Sequence, residues 1–230
     1  MSSSKLNKKI KGIILLFLLS LMAISINTAS ASAQTRLSAS NVVDKVQNYY
    51  ETTSDYTARF VQTTAHKMFP GKYQRAYGTV SFKKGGYMRW EYTRPSHKYF
   101  IYDTKTLWIY EPEVPQIFQG SDQTDKLKNA LAFLTGEGKI KDFYTVKDGP
   151  LRSDFKDGYV VYLFPKTNSP FKRVELYINK NSFSVERSIV VDHDDNRNRL
   201  DFYGSKTNSG LSSSFFTFTP PKGVPVMTQQ

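Results

Sequence analysis

The chain has 230 residues and a formal charge of +12, is 14% aromatic and holds no cysteine. Without thiols there is no disulfide framework, no thiol nucleophile, no cysteine metal site and no lipid-bearing cysteine, so ordinary apolar burial has to hold the core. Its 15 tyrosines and 16 phenylalanines, against 2 tryptophans, recur in short runs between turn residues, which favours a sheet.

In chain order, residues 1–33 read as a cleavable secretory signal. Lys5, Lys8, Lys9 and Lys11 form a basic start, residues 13–24 are mostly apolar, and small residues lead to Ala33. The apolar run is shorter than the roughly 20 residues a spanning helix needs. The expectation is export, with residues 34–230 as one domain acting as a monomer. That part stays basic, and in an exported protein such charge suits anionic membrane surfaces or acidic partners rather than nucleic acid.

Ser38 and Ser40 offer helix caps, and Val42, Val46 and Tyr49, with Val43 and Tyr50 alongside, recur at helical spacing, so one amphipathic helix opens the domain. The period then changes to strands at 58–63, 77–83, 88–93, 99–102 and 107–110, joined by short connections as in an antiparallel meander. Between residues 121 and 138 it returns to helical, with Leu127, Ala130, Leu131 and Leu134 on one face and Gly136 placed to stop the helix. Strand patterns resume at 159–164, 171–178, 185–191 and 199–203 and end with 215–218, after which Pro220 and Pro221 close the sheet region. The order helix, strands, helix, strands predicts a mainly β, α+β fold: one curved antiparallel sheet with helices on one face. Alternation places Met88, Trp90 and Tyr92 on one face and Arg89 and Glu91 on the other.

The motifs for chemistry are thin. Asp192, Asp194 and Asn196 imitate the start of a calcium loop, but Arg197 stands where that loop needs glycine and Tyr203 where it needs glutamate, so a hairpin turn is expected and no metal site. His66 and His97 stand in polar loops without ligand companions at metal spacing. No nucleophile elbow, serine-lysine signature or phosphate-cradling glycine loop is present. An enzyme is therefore the minority reading from the motifs, and no catalytic residue and no cofactor is assigned.

Three segments in order, Phe60-Val61-Gln62, Gly78-Thr79-Val80-Ser81-Phe82 and Arg89-Trp90-Glu91-Tyr92-Thr93-Arg94-Pro95, resemble the periplasmic outer-membrane lipoprotein carrier family, LolA. The resemblance continues through Asp103-Thr104-Lys105-Thr106-Leu107-Trp108-Ile109-Tyr110-Glu111-Pro112, Gln116, and Phe216-Thr217-Phe218-Thr219-Pro220-Pro221-Lys222-Gly223-Val224. It implies a strongly curved antiparallel half-barrel with an N-terminal helix and a helical lid over its concave apolar face. It further implies a periplasmic chaperone that takes acylated lipoproteins from an inner-membrane ABC transporter and passes them to an outer-membrane receptor.

On that resemblance the acyl chains meet Met88, Trp90, Tyr92 and Phe60, and Leu127, Leu131 and Leu134 lie on the lid. Where the family commonly has an arginine followed by proline that latches the lid, this chain has Lys84-Gly85, which makes Lys84 the latch candidate without the planar fork of a guanidinium. Asp103-Thr104 replaces a frequent aspartate-glycine. The alternative function is a lipid- or lipoprotein-binding sensor in envelope stress signalling, whose family members usually carry an additional domain.

Overall fold

A computed structural model describes residues 36–114, 116–120 and 138–229. Residues Leu37–Gln230 form one compact unit. The first helix, α1 (Ala39–Glu51), is capped by Ser38, whose hydroxyl accepts from the Asn41 amide, and buries Val42, Val43, Val46 and Tyr50 as the helical period requires.

Strands β1 (Asp55–Ala65), β2 (Tyr73–Lys83), β3 (Tyr87–Arg94), β4 (Lys98–Tyr102), β5 (Leu107–Glu111) and β6 (Gln116–Gly120) follow as an antiparallel meander. A short helix, α2 (Ile140–Phe143), leads into β7 (Tyr144–Asp148), β8 (Gly158–Pro165), β9 (Phe171–Asn179), β10 (Val185–Asp192) and β11 (Arg197–Thr207). A 3-10 helix, Ser213–Phe216, and β12 (Val226–Gln229) complete the order. All twelve strands form one sheet in the order β12-β6-β5-β4-β3-β2-β1-β11-β10-β9-β8-β7. Among the described residues only the pairing of β12 with β6 is parallel.

The sheet is curved around α1. The helix packs on β7 and β8 while its Tyr50 ring lies 6.1 Å from that of Tyr56 on β1, and one apolar core joins it to Ala58 and Phe60 of β1, Val80 and Phe82 of β2, and Leu176 and Ile178 of β9, which share the concave face.

Most predicted elements are present, with ends up to four residues longer than their apolar cores. Three differences have physical causes. The segment 215–218 is not a strand: Phe216 closes the 3-10 helix against Tyr87 and Phe218 packs on Trp108 and Tyr110, so aromatic residues that looked like a strand pattern serve as a cover for the convex face. Pro220 and Pro221 do not end the sheet, because the chain turns through Gly223 and β12 then adds to the β6 edge. Strands β6 and β7 and helix α2 carry too few apolar residues in sequence to show a period. The predicted lid helix with Leu127, Leu131 and Leu134 lies outside the described residues.

Candidate functional site: a graded apolar concavity

Because the sheet is antiparallel, alternate turns share a rim. The starts of β1, β3 and β5 make one rim, to which the end of α1 is attached; the turns at 66–72, 95–97 and 193–196 make the other. On five strands of the concave face burial follows this axis, whereas on β7 and β8 it runs the other way, with Tyr144 and Leu163 buried and Val146 and Tyr159 half-buried. On β1, β3, β4, β5 and β9 the inward residues toward the α1 rim are buried, namely Phe60, Trp90, Tyr102, Leu107 and Leu176. The inward residues one step toward the far rim are half-buried, namely Gln62, Tyr92, Phe100, Ile109 and Val174. Leu200 and Phe202 of β11 are half-buried in the same band.

Cross-strand register assembles this band. Trp90 lies opposite Phe100 and Val80, Gly78 sits between Phe60 and Tyr92, and Phe60 lies opposite Phe202. Ring centroids of Phe60 are 5.1 Å from Trp90 and 5.0 Å from Tyr92, and Tyr92 is 6.0 Å from Phe100, most of them edge-on or tilted as aromatic quadrupoles prefer. Gly78 is required here: a Cβ would stand 2.1 Å from the Glu91 carbonyl oxygen and 2.6 Å from the Phe60 ring. The missing side chain lets Phe60 fold across β2 toward Tyr92.

Polar groups mark the edge of the band. The Gln62 amide donates to Asn198 Oδ1 at 2.9 Å, and Lys98 pairs with Glu111 at 2.5 Å. Burial raises the Tyr92 and Tyr144 hydroxyls, so both stay neutral at any physiological pH and put no charge against an apolar ligand. The surface is thus wide and adaptable, lined by aromatic and aliphatic groups that can bind flexible hydrocarbon.

The closed end is braced. Asp148 Oδ1 accepts from the Ala39 amide at 2.9 Å, and Gln47, buried in α1, donates to the Gly138 carbonyl and accepts from the Ile140 amide. Lys84 sits in the exposed β2–β3 turn, and its ammonium donates to the Glu51 carbonyl at the end of α1 at 3.2 Å. It therefore pins α1; any reach toward 121–137 lies outside the described residues. Of the residues expected from the sequence, Phe60, Met88, Trp90 and Tyr92 all face the concavity, with Phe60 and Met88 in the packed floor and Tyr92 in the half-buried band. Sequence reasoning missed Phe100, Ile109, Val174, Leu200 and Phe202. Their alternation was readable, but which face curves inward was not.

A separate pocket of about 440 Å³ opens where β10 and β11 diverge, lined by Phe155, Arg187, Asp201 and Tyr203 over Tyr56 and Phe202. Its guanidinium is already held by Asp201 at 2.7 Å and Asp154 at 3.0 Å, so its charge is spent within the fold. The Asp192–Asn196 turn is the hairpin the sequence suggested: Asp192 Oδ1 accepts from the Asp194 and Asn196 amides.

Comparison with known proteins agrees with this geometry. A relative named outer-membrane lipoprotein carrier protein, from Coxiella burnetii, is 28% identical over 224 residues, covering 95% of this chain and 96% of its own length. Another of that name, from Neisseria meningitidis serogroup B, is 26% identical over 204 residues, covering 89% and 93%. The crystal structure of an uncharacterized conserved protein from Thermus thermophilus shares the fold, with a TM-score of 0.51 at 15% identity over 83% of this chain and 99% of that one. Residues 51–219, from the last turn of α1 to just past the 3-10 helix, match the family model described as outer membrane lipoprotein carrier protein LolA, and the chain belongs to that family.

Proposed function

We propose that this protein is a periplasmic lipoprotein carrier that shelters the acyl chains of its cargo on the half-buried band of the concave face. The supporting observation is the burial gradient: a floor closed by α1 and an apolar band left half-buried toward the opposite rim. Burying one methylene is worth about 0.8 kcal/mol, so an acyl chain of a dozen or so gains about 10 kcal/mol over water. Unassisted release would be slow, and transfer needs a competing apolar acceptor in contact with the carrier.

In this reading residues 1–33 are the export signal, 34–230 the carrier domain, an inner-membrane ABC transporter loads the cargo, and an outer-membrane receptor unloads it. Leu127, Leu131 and Leu134 would cover the band as a lid. No step requires catalysis.

The test is to incubate residues 34–230 with energised inner-membrane vesicles and ask by mass spectrometry whether acylated lipoproteins enter a soluble complex. Their appearance is the expected result. If the transporter is active and nothing acylated leaves the membrane, the carrier reading fails.

A further inference from the structure

Of the four most exposed large apolar side chains among the described residues, three cluster on one feature, and the fourth, Leu151, stands apart between β7 and β8. In the β1–β2 turn, Met68 is 84% exposed and Phe69 55%, and Tyr73 at the start of β2 is 61% exposed. Folding alone gives no reason to leave three large apolar groups in water on ten residues. The same stretch, 66–75, carries Lys67, Lys72 and Arg75 and no acidic residue.

The tip is an ordered platform. The Phe69 amide donates to the His66 carbonyl at 3.0 Å, the Lys72 amide to the Phe69 carbonyl at 3.1 Å, and the Lys72 ammonium lies 5.8 Å from the Phe69 ring centre. Its root is braced from the β10–β11 turn: Asn196 Oδ1 accepts from the Lys67 amide at 3.0 Å, and Asp195 is shared between the ammonium groups of Lys67 and Lys172. That single carboxylate offsets part of the local charge; Asp192 and Asp194 belong to the same neighbouring turn, the first occupied with its own turn amides.

Position gives the tip its meaning. The ladder between β2 and β3 stops at Tyr77 and Arg94, whereas β1 and β2 stay paired out to Ala65 and Tyr73. Four residues of strand carry the turn about 13 Å beyond the β3–β4 turn. It rises from the rim at which the concave face is half-buried, opposite the rim where α1 is attached.

We propose that the β1–β2 tip, Met68 and Phe69 collared by Lys67, Lys72 and Arg75, inserts into the interface of an anionic lipid bilayer and so turns the half-buried end of the concavity toward the membrane. A thioether and an aromatic ring enter the boundary between headgroups and acyl chains, while the cations stay at phosphate level, the division found in interfacial anchors. Apolar insertion with weak basic steering gives a reversible contact. The value of that contact for moving an acyl chain rests on the carrier reading; the contact itself does not.

The test is flotation of residues 34–230, which contain the whole compact unit, with vesicles of phosphatidylethanolamine and phosphatidylglycerol and, in parallel, of phosphatidylcholine alone. Expected are binding to the anionic vesicles, weakening as salt shortens the screening length, and little binding to phosphatidylcholine. The pair Met68→Ser with Phe69→Ser should reduce anionic binding at least roughly tenfold, and Lys67→Gln with Lys72→Gln by about as much. An unchanged thermal melt identifies folded variants; these side chains are exposed, so both pairs should pass. Absence of flotation, equal binding to both lipids, or serine variants that float like the parent would overturn the proposal. A tip that instead loses cargo transfer without ever floating would be a protein-contact surface, which also overturns it. Cargo uptake measured alongside separates the readings: flotation without uptake sinks the carrier, and uptake without flotation sinks the tip.

Discussion

Phe100 stands in the half-buried band, opposite Trp90 on β3 and 6.0 Å from Tyr92. A carboxylate there would face hydrocarbon when cargo is bound and partial solvent when it is not. Phe100→Asp should therefore abolish binding of an acylated fluorescent probe while lowering stability by only about 1–3 kcal/mol, measured by probe titration and denaturant melts. Probe binding at parental affinity would place the acyl site elsewhere. A different residue-scale feature is Thr104, which holds φ at +81° in the β4–β5 turn, where a Cβ is crowded. Asp103 Oδ1 accepts from the Lys105 and Thr106 amides and the Tyr102 hydroxyl donates to the Thr104 carbonyl, so the turn is held in place despite the strain. Glycine relieves the strain but frees the unfolded chain, leaving a net gain of about 1 kcal/mol for Thr104→Gly. That gain should appear as a melting point raised by roughly 2–4 °C.

Among the elements, the C-terminal arm is the one whose role reads least like its sequence. It leaves β11 at Asn208 and is caught by Asp55, a buried carboxylate at the start of β1 that accepts from the amides of Ser209 at 2.8 Å, Gly210 at 2.9 Å and Leu211 at 3.2 Å. From there the arm lays Phe216 and Phe218 on the convex face and delivers β12 to β6, so that a four-residue strand replaces β6 as the edge of the sheet. Asp55→Ala leaves three amides without an acceptor. It should cost about 2–3 kcal/mol and open the chain near residues 208–212 to limited proteolysis, with cleavage there faster than in the parent. Parental resistance to protease would show that aromatic packing alone holds the arm. The amphipathic period of α1 announced its helix and its buried face, whereas the short β6, β7 and β12 take their structure from neighbours that no local window contains.

At the scale of the whole molecule, the concave face is mainly apolar and the convex face carries a network of ion pairs, Arg173 and Arg197 with Glu175 and Arg187 and Arg199 with Asp201. Burial pushes the Asp201 carboxyl up, but hydrogen bonds from Arg199 and Arg187 outweigh it and hold it below its ordinary value. Hydrogen bonds from Lys67 and Lys172 lower Asp195 from 3.8 to about 2. Both groups titrate lower when folded than when unfolded. Their stabilisation is complete above the unfolded value near 3.8 and is lost as pH falls through the folded value. The melting temperature should therefore hold level from about pH 8 to 5 and fall between about pH 4 and 2. A melt already falling between pH 7 and 5 would point to histidine instead. Asp201→Asn should shallow the acid decline.

What the sequence determined by itself is the alternation that gives each strand an apolar side, the cap and period of α1, the turn chemistry, and the ordered motifs that resemble the carrier family. These rest on neighbours within a few residues, where period and propensity act. Tertiary structure alone decided that the twelve strands of the described residues form one curled sheet and that on β1, β3, β4, β5 and β9 burial grades from the α1 rim to the opposite rim. It also decided that Gly78 is empty so Phe60 can cross to Tyr92, and that Lys84 reaches back to Glu51. Each of those depends on register and curvature, which are set by strands far apart in the chain, and curvature is what makes one apolar side a concavity and the other a surface.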